Sequence, residues 1–272
     1  MRLLLLSTFF IFFNFYLNAQ ELRGIVTNKK TGQPIPYVNI GVVGRNIGTV
    51  SDANGHYTLA VDTALDSDTL KASCIGYASY SVKVSQFRHQ KGNDLQLEER
   101  IIELKEVVIR PKAFRLRTFG VTARSKSMRA GFEKNALGYE CGILMKNTRP
   151  ARLEKVNIHF ASCSYDTIFY RLNIYNAPGA LRFESLLTQP IYLNLPREKV
   201  LAEKVTIDLS SYNLWAEGNF LVTLEHVKDM GPGFVYFPLG LFDKTYYRKT
   251  SQAEWQTVPV GISISVEAGV EK

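Results

Sequence analysis

Short stretches of alternating apolar and polar residues recur throughout this 272-residue chain, and sustained helical repeats do not. In YVNIGVV, Val38, Ile40 and Val42 fall on one face, and in HYTLAV, Tyr57, Leu59 and Val61 do the same. DTLKASC, YASYSVKV and DLQLEE continue the pattern, with Leu70, Ala72 and Cys74 on one face of the first. Between the first two runs, Asp52 can bond its own backbone two residues on and Gly55 can take the positive φ such turns need. The Pro34 and Pro36 segment reads as a stiff lead-in at a sheet edge.

A second set of strands follows Arg115. LEKVNIHFA sets Val156, Ile158 and Phe160 against Lys155, Asn157 and His159, which predicts a solvated His159. IFYRLNIYN places Ile168, Tyr170, Leu172 and Ile174 together. EKVTIDL, NFLVTLEHV, GFVYFPL and VPVGISISVEAGV complete the set, and the Leu195–Val200 stretch allows a turn or two of helix. Strands of this number with turn signals between them predict an all-β protein built from sandwiches. Pro111 marks a boundary, so residues 20–98 and 115–272 are expected to be separate domains joined by a linker or bridging strand over 99–114.

The first 19 residues read as an export signal. Arg2 precedes an almost wholly apolar run, Leu3 to Leu17, and Ala19 is small enough for a cleavage site. The run is shorter than the roughly 20 residues of a membrane-spanning helix, and no later segment is long and apolar enough to be one. The expected location is therefore the periplasm or the outer-membrane surface. The formal charge is +8, densest over Arg110 to Arg129. Export and the lack of a recognition motif argue against nucleic acid as its partner. Cys74, Cys141 and Cys163 are odd in number, leaving at least one thiol unpaired within the chain and a Cys141–Cys163 bridge open.

Gly24 and Val26, then Thr31, Gly32, Pro34, Ile35, Val38 and Ile40, then Gly48, Thr49, Ser51, Asp52, Gly55 and Tyr57 resemble the recurring pattern of the carboxypeptidase regulatory-like family. CIGY, Cys74 to Tyr77, is similar to a later stretch of that family. The resemblance implies a non-catalytic, transthyretin-like β-sandwich, found beside exported enzymes and before the plug of TonB-dependent receptors. Glu106–Ile109 resembles the strand leading into such a plug, but the remaining chain is too short for a receptor barrel. YRLNIYN, VTIDLSSYNLWAEGNFLVTLEHV and TYYRKTSQAEWQTVPVGI resemble the C-terminal domain of a group of exported Bacteroidota proteins, which implies a jelly-roll or galactose-binding-like sandwich.

Candidate chemistry is sparse. No His-Glu-x-x-His occurs, and Glu225 and His226 are adjacent on a strand and point to opposite faces, so neither a metal nor another cofactor is expected. A hydrolase would have to draw on Asp208, Glu217, Glu225 and Asp229, and no spacing selects a pair. The remaining signal is aromatic. Tyr212, Trp215, Tyr247 and Trp255 lie in two turn-rich segments, where rings can stack on sugar faces. The expected function is non-catalytic binding or assembly at the cell envelope, with a polysaccharide or an outer-membrane protein as partner.

Overall fold

The computed structural model describes residues 19–90, 92–100 and 113–272; the expected export signal up to residue 18 and most of the expected linker lie outside the described residues. Strands β1 (Ala19–Asn28), β2 (Asn39–Val42), β3 (Gly48–Val50), β4 (His56–Asp62), β5 (Thr69–Ser73), β6 (Tyr80–Lys83) and β7 (Leu95–Leu97) form two sheets. Their orders are β4-β1-β7 and β3-β2-β5-β6. The alternating residues close one core between the sheets, with Leu22 and Leu59 from the first and Ile40 and Leu70 from the second. Asp52 Oδ1 accepts from the amides of Asn54 at 2.8 Å and His56 at 2.9 Å, and Gly55 takes a φ of +79°, which makes the turn into β4. YASYSVKV gives strand β6 as expected, but its extended path ends at Lys83. From Val84 the chain turns into helix α1 (Val84–Arg88), because Val84 and Phe87, three apart, both drop into the core only on a helical path.

The C-terminal part holds β8 (Phe114–Gly120), β9 (Arg129–Phe132), β10 (Glu140–Met145), β11 (Ala151–Ile158), β12 (Ser162–Cys163), β13 (Thr167–Gly179), β14 (Arg182–Ser185) and β15 (Ile191–Pro196). These are followed by β16 (Val205–Asp208), β17 (Trp215–Ala216), β18 (Phe220–His226), β19 (Val235–Gly240), β20 (Thr245–Arg248), β21 (Gln256–Val258), β22 (Gly261–Ile262) and β23 (Ile264–Glu271). A seven-stranded sheet runs β14-β13-β18-β10-β20-β21 with β15 also on β13. A five-stranded sheet runs β16-β11-β23-β8 with β17 also on β11. Their inner faces share a second core, to which Leu172, Val222 and Ile143 contribute from one side and Leu153, Val156 and Val266 from the other. The β12-β19-β22 sheet, with β9 on β19, adds Phe132 and Phe237 to that core. The chain is thus all-β and sandwich-built, as its alternation predicts.

The two cores are separate, yet the sandwiches meet closely. Strand β18 is buried at every position, so its outer face is covered as well as its inner one. Tyr37 supplies part of the cover: its ring lies 5.0 Å from Phe169 and 5.3 Å from Tyr192, and its backbone takes a φ of +56°, unusual for a bulky residue. The turn after β20 supplies more. Gln252 O accepts from Gly44 N at 3.0 Å, and Gln252 Nε2 donates to Ser73 Oγ at 2.8 Å. Ser251 sits over Gly41 and Gly48, which pair across β2 and β3. A Cβ at either would stand 2.3 or 2.4 Å from Ser251 O, so only glycine permits this approach.

Three expectations need revision or resolution. His159 is buried, 6% exposed, because β11 is flanked by β16 and β23 and its polar face is filled by cross-strand partners. Its Nδ1 lies 3.1 Å from Ser263 Oγ, and the neighbouring Asn157 donates to Glu267 Oε1 at 2.8 Å. All three cysteines are free thiols. His226 is buried among Phe132 and Tyr170, opposite in direction to Glu225 as the strand geometry requires.

Two outcomes follow from this packing. His226 Nε2 faces Lys228 O at 2.8 Å, so it carries the proton of a neutral ring; burial holds its pKa below 6.5, against the pull of that carbonyl. A depressed folded-state pKa gives stability that is present above the unfolded value and lost as pH falls through the folded one. Urea titrations from pH 7.5 to 5 should show declining stability, and His226→Phe should flatten the slope in part, since His159 is shifted the same way by burial. Separately, Gly41→Val should cost about 1–3 kcal/mol by overpacking against Ser251. Differential scanning calorimetry should then show the two sandwiches melting apart.

Candidate functional site

The covered face of the seven-stranded sheet carries a row of charge. Cross-strand pairing sets Arg171 on β13 beside Glu225 on β18, Glu225 beside Glu140 on β10, and Glu140 beside Arg248 on β20. Both carboxylates are 0% exposed and Arg171 is 2% exposed. Like charges directly opposite destabilise a sheet, and here donors bridge them. Asn173 Nδ2 donates to Glu140 Oε1 at 2.9 Å and to Glu225 Oε2 at 2.8 Å. Tyr175 OH at 2.9 Å and Thr223 Oγ1 complete Glu140 Oε1, and Arg248 Nε donates to Glu140 Oε2 at 2.8 Å.

Arg171 ties this row to the other sandwich. It donates to Glu225 Oε2 through Nη2 at 2.7 Å and Nε at 3.1 Å, then reaches across to Tyr37 O at 2.8 Å and Asn39 Oδ1 at 2.7 Å. The left-handed turn at Tyr37 belongs to the residue whose carbonyl meets this guanidinium. Burial alone would push the Glu225 carboxyl up; Arg171 and then Arg248 outweigh it and hold it below the usual carboxylate range. The pair is asymmetric. Glu140 has donors on both oxygens, whereas the buried Glu225 Oε1 has no hydrogen-bond donor among the described residues, and Arg248 Nη2 lies 3.6 Å away.

A cleft of about 660 Å³ opens along this row between the sandwiches. The N-terminal side contributes Lys71, Arg100 and the Cys74–Tyr77 stretch; the C-terminal side contributes Arg171, Glu225, Arg248 and Trp255. Four cations therefore face two lining carboxylates, Glu184 and Glu225. The Trp255 ring lies 5.1 Å from Phe183 and 6.1 Å from Tyr175, with the Arg248 guanidinium 5.1 Å from its centroid.

The four rings expected to bind together are divided. Only Trp255 lines the cleft. Trp215 packs on Phe114 at 5.9 Å beside the five-stranded sheet, and its Nε1 donates to Asn213 Oδ1 at 3.2 Å. Tyr212 packs on the C-terminal core. Tyr247 stacks on Tyr139 at 6.3 Å and donates to Gln256 Oε1 at 2.7 Å, facing away from its neighbour Arg248 as alternation demands. No ring contact joins any two of the four among the described residues. The candidate carboxylates are likewise dispersed. Asp208 accepts from Ser210 N at 2.8 Å, and Asp229 accepts from Gly231 N at 2.9 Å, so both are engaged in turns; Glu217 is exposed.

Arg171, Glu140, Arg248 and Asn173 do not stand out in the sequence. The available signal is that the non-core face of IFYRLNIYN carries Phe169 and Tyr175 on either side of Arg171 and Asn173, which is unusual for a solvated face. Among the described residues no group of three or more His, Cys, Asp or Glu side chains is placed to hold a metal, and no helix is long and apolar enough to cross a membrane.

Residues 22–109 match the family model of the CarboxypepD_reg-like domain. Over 107 residues the chain is 33% identical to TonB-dependent receptor P3 of Formosa agariphila, an alignment covering 38% of this chain and 10% of that receptor. Two solved structures of infectious bursal disease virus, the Gx strain and the VP2 subviral particle, align over 93% of this chain and 65% of theirs. Their identity of 11% and TM-score of 0.16 are too low to indicate a common fold.

The charge row has a measurable signature. Arg171→Met leaves Glu225 buried without its main partner and should destabilise by about 3–5 kcal/mol. Arg171→Met combined with Glu225→Met should cost less than the sum of the two single changes. A denaturant double-mutant cycle reads the difference, and strict additivity would show the two groups to be uncoupled.

Proposed function

We propose that this protein is a non-catalytic binding protein of the cell envelope, and that it holds a hydroxyl-rich, negatively charged glycan in the cleft between its sandwiches. The observation that carries this reading is Glu225 Oε1, a buried acceptor on the cleft wall that no donor among the described residues hydrogen-bonds, Arg248 Nη2 standing 3.6 Å off. Buried polar atoms are normally satisfied, and a ligand hydroxyl supplies the missing proton. Trp255 offers an apolar face for a sugar ring, while Lys71 and Arg100, the lining cations outside the neutralised row, favour anionic groups. The match of residues 22–109 to a CarboxypepD_reg-like domain supports a regulatory rather than catalytic module. The similarity to a TonB-dependent receptor supports the envelope as its location.

The rival reading is a hydrolase. A glycosidase needs one carboxyl that keeps its proton to donate. Glu225 is instead held ionised by two arginines, and Glu140 accepts hydrogen bonds on both oxygens.

A glycan array using neutral and acidic oligosaccharides should return acidic ones. Trp255→Ala should weaken binding about tenfold, the loss of roughly one stacked ring, with an unchanged melting temperature. Trp215→Ala, on the other sheet, should bind as the parent does. The opposite ranking of the two tryptophans would exclude the cleft, and turnover of any bound glycan would exclude the non-catalytic reading.

A further inference from the structure

The connection between β19 and β20 presents apolar side chains to the outside. Phe242 is 100% exposed and Leu241 is 55% exposed. Phe242 takes a φ of +68°, a conformation unfavourable for a bulky residue, and this turn displays the ring instead of burying it. Two more exposed apolar residues flank the connection. Met128 is 47% exposed, and its carbonyl accepts from Leu239 N at 3.1 Å, just before the tip. Val258 is 37% exposed and pairs with Thr245, just after it.

The apolar surface continues inward. A cleft of about 590 Å³ opens beside Val258, walled by Phe132, Tyr139, Leu239, Val260 and Ile262. It shares no lining residue with the cleft between the sandwiches. Around this end stand three exposed cations: Lys126 next but one to Met128, Arg129 next to Met128 and opposite Pro238, and Lys244 next but one to Phe242. Asp243, between Phe242 and Lys244, is the acidic residue of the tip.

We propose that this end of the C-terminal sandwich docks on an anionic lipid bilayer. Leu241 and Phe242 enter the acyl region, and Lys126, Arg129 and Lys244 meet the headgroups. Both halves of the surface fit that occupant. A fully exposed ring on a tip of two apolar residues is shaped to enter a soft medium, where burial needs no matching hole. A cationic surround adds attraction to an anionic leaflet. The inference does not depend on the glycan reading, because it uses different residues.

Vesicle sedimentation tests it, using the chain from residue 20 onward, which keeps every described side chain. The parent protein should pellet with phosphatidylcholine vesicles that contain phosphatidylglycerol, not with phosphatidylcholine alone, and added salt should release it. Leu241→Ser combined with Phe242→Ser should lower partitioning at least about tenfold, because the side chains no longer leave water. Its melting temperature should be unchanged, since Phe242 is fully exposed. Phe242→Trp should keep binding and shift its added tryptophan emission to the blue on vesicles. The proposal is overturned if the parent does not pellet with anionic vesicles or pellets equally with neutral ones. It is also overturned if the serine variant binds like the parent. Should the serine variant melt lower, the Phe242→Trp emission decides, and an unshifted spectrum overturns the proposal.

Discussion

Two buried carboxylates, Glu140 and Glu225, stand side by side between two arginines, and the way the sandwiches meet depends on keeping them neutralised. Taking charges out of water costs several kcal/mol per ion unless partners replace the lost hydration. The seven-stranded sheet supplies most of those partners from adjacent strands, in one row. It does not finish Arg171. Two of that guanidinium's acceptors, Tyr37 O and Asn39 Oδ1, come from the N-terminal sandwich. The covering sandwich therefore completes the polar inventory of the sheet it covers, and this selects one docked arrangement over others of similar contact area.

The remaining contacts conform to that requirement. Tyr37 holds a left-handed backbone where its carbonyl meets Arg171, and its ring packs with Phe169 and Tyr192. The bare backbones of Gly41 and Gly48 admit Ser251. On the cleft wall Glu225 Oε1 lacks a hydrogen-bond donor among the described residues, where the sandwiches part. A polar network left incomplete beside an open cleft and an aromatic ring is a place for a ligand to complete it.

The positions of the strands were largely legible from alternation, since a sheet with one buried face imposes a period of two on its sequence. The failures came where both faces are buried or where the local path changes. His159 looked solvated because its neighbours Lys155 and Asn157 are polar, yet flanking strands bury it. YASYSVKV is extended as far as Lys83, yet Val84 and Phe87 reach the core as a helix that alternation did not foretell. Of the four candidate rings, Tyr212, Trp215, Tyr247 and Trp255, only the last lines the cleft, because the segments that carry them belong to different sheets and faces.

By itself the sequence determined an all-β chain, the regulatory-like pattern of its N-terminal part and the absence of a recognisable catalytic motif. Those properties follow from local periodicity, turn chemistry and spacing, which are written in residues near one another. The tertiary structure alone decided that Arg171, Glu225, Glu140 and Arg248 form one row, that Asn39 and Tyr37 complete it, and that Trp255 stands beside it. These residues come from distant parts of the chain. Strand register and sandwich docking bring them together, and both are set by the joint burial of many side chains, which no single stretch of sequence encodes.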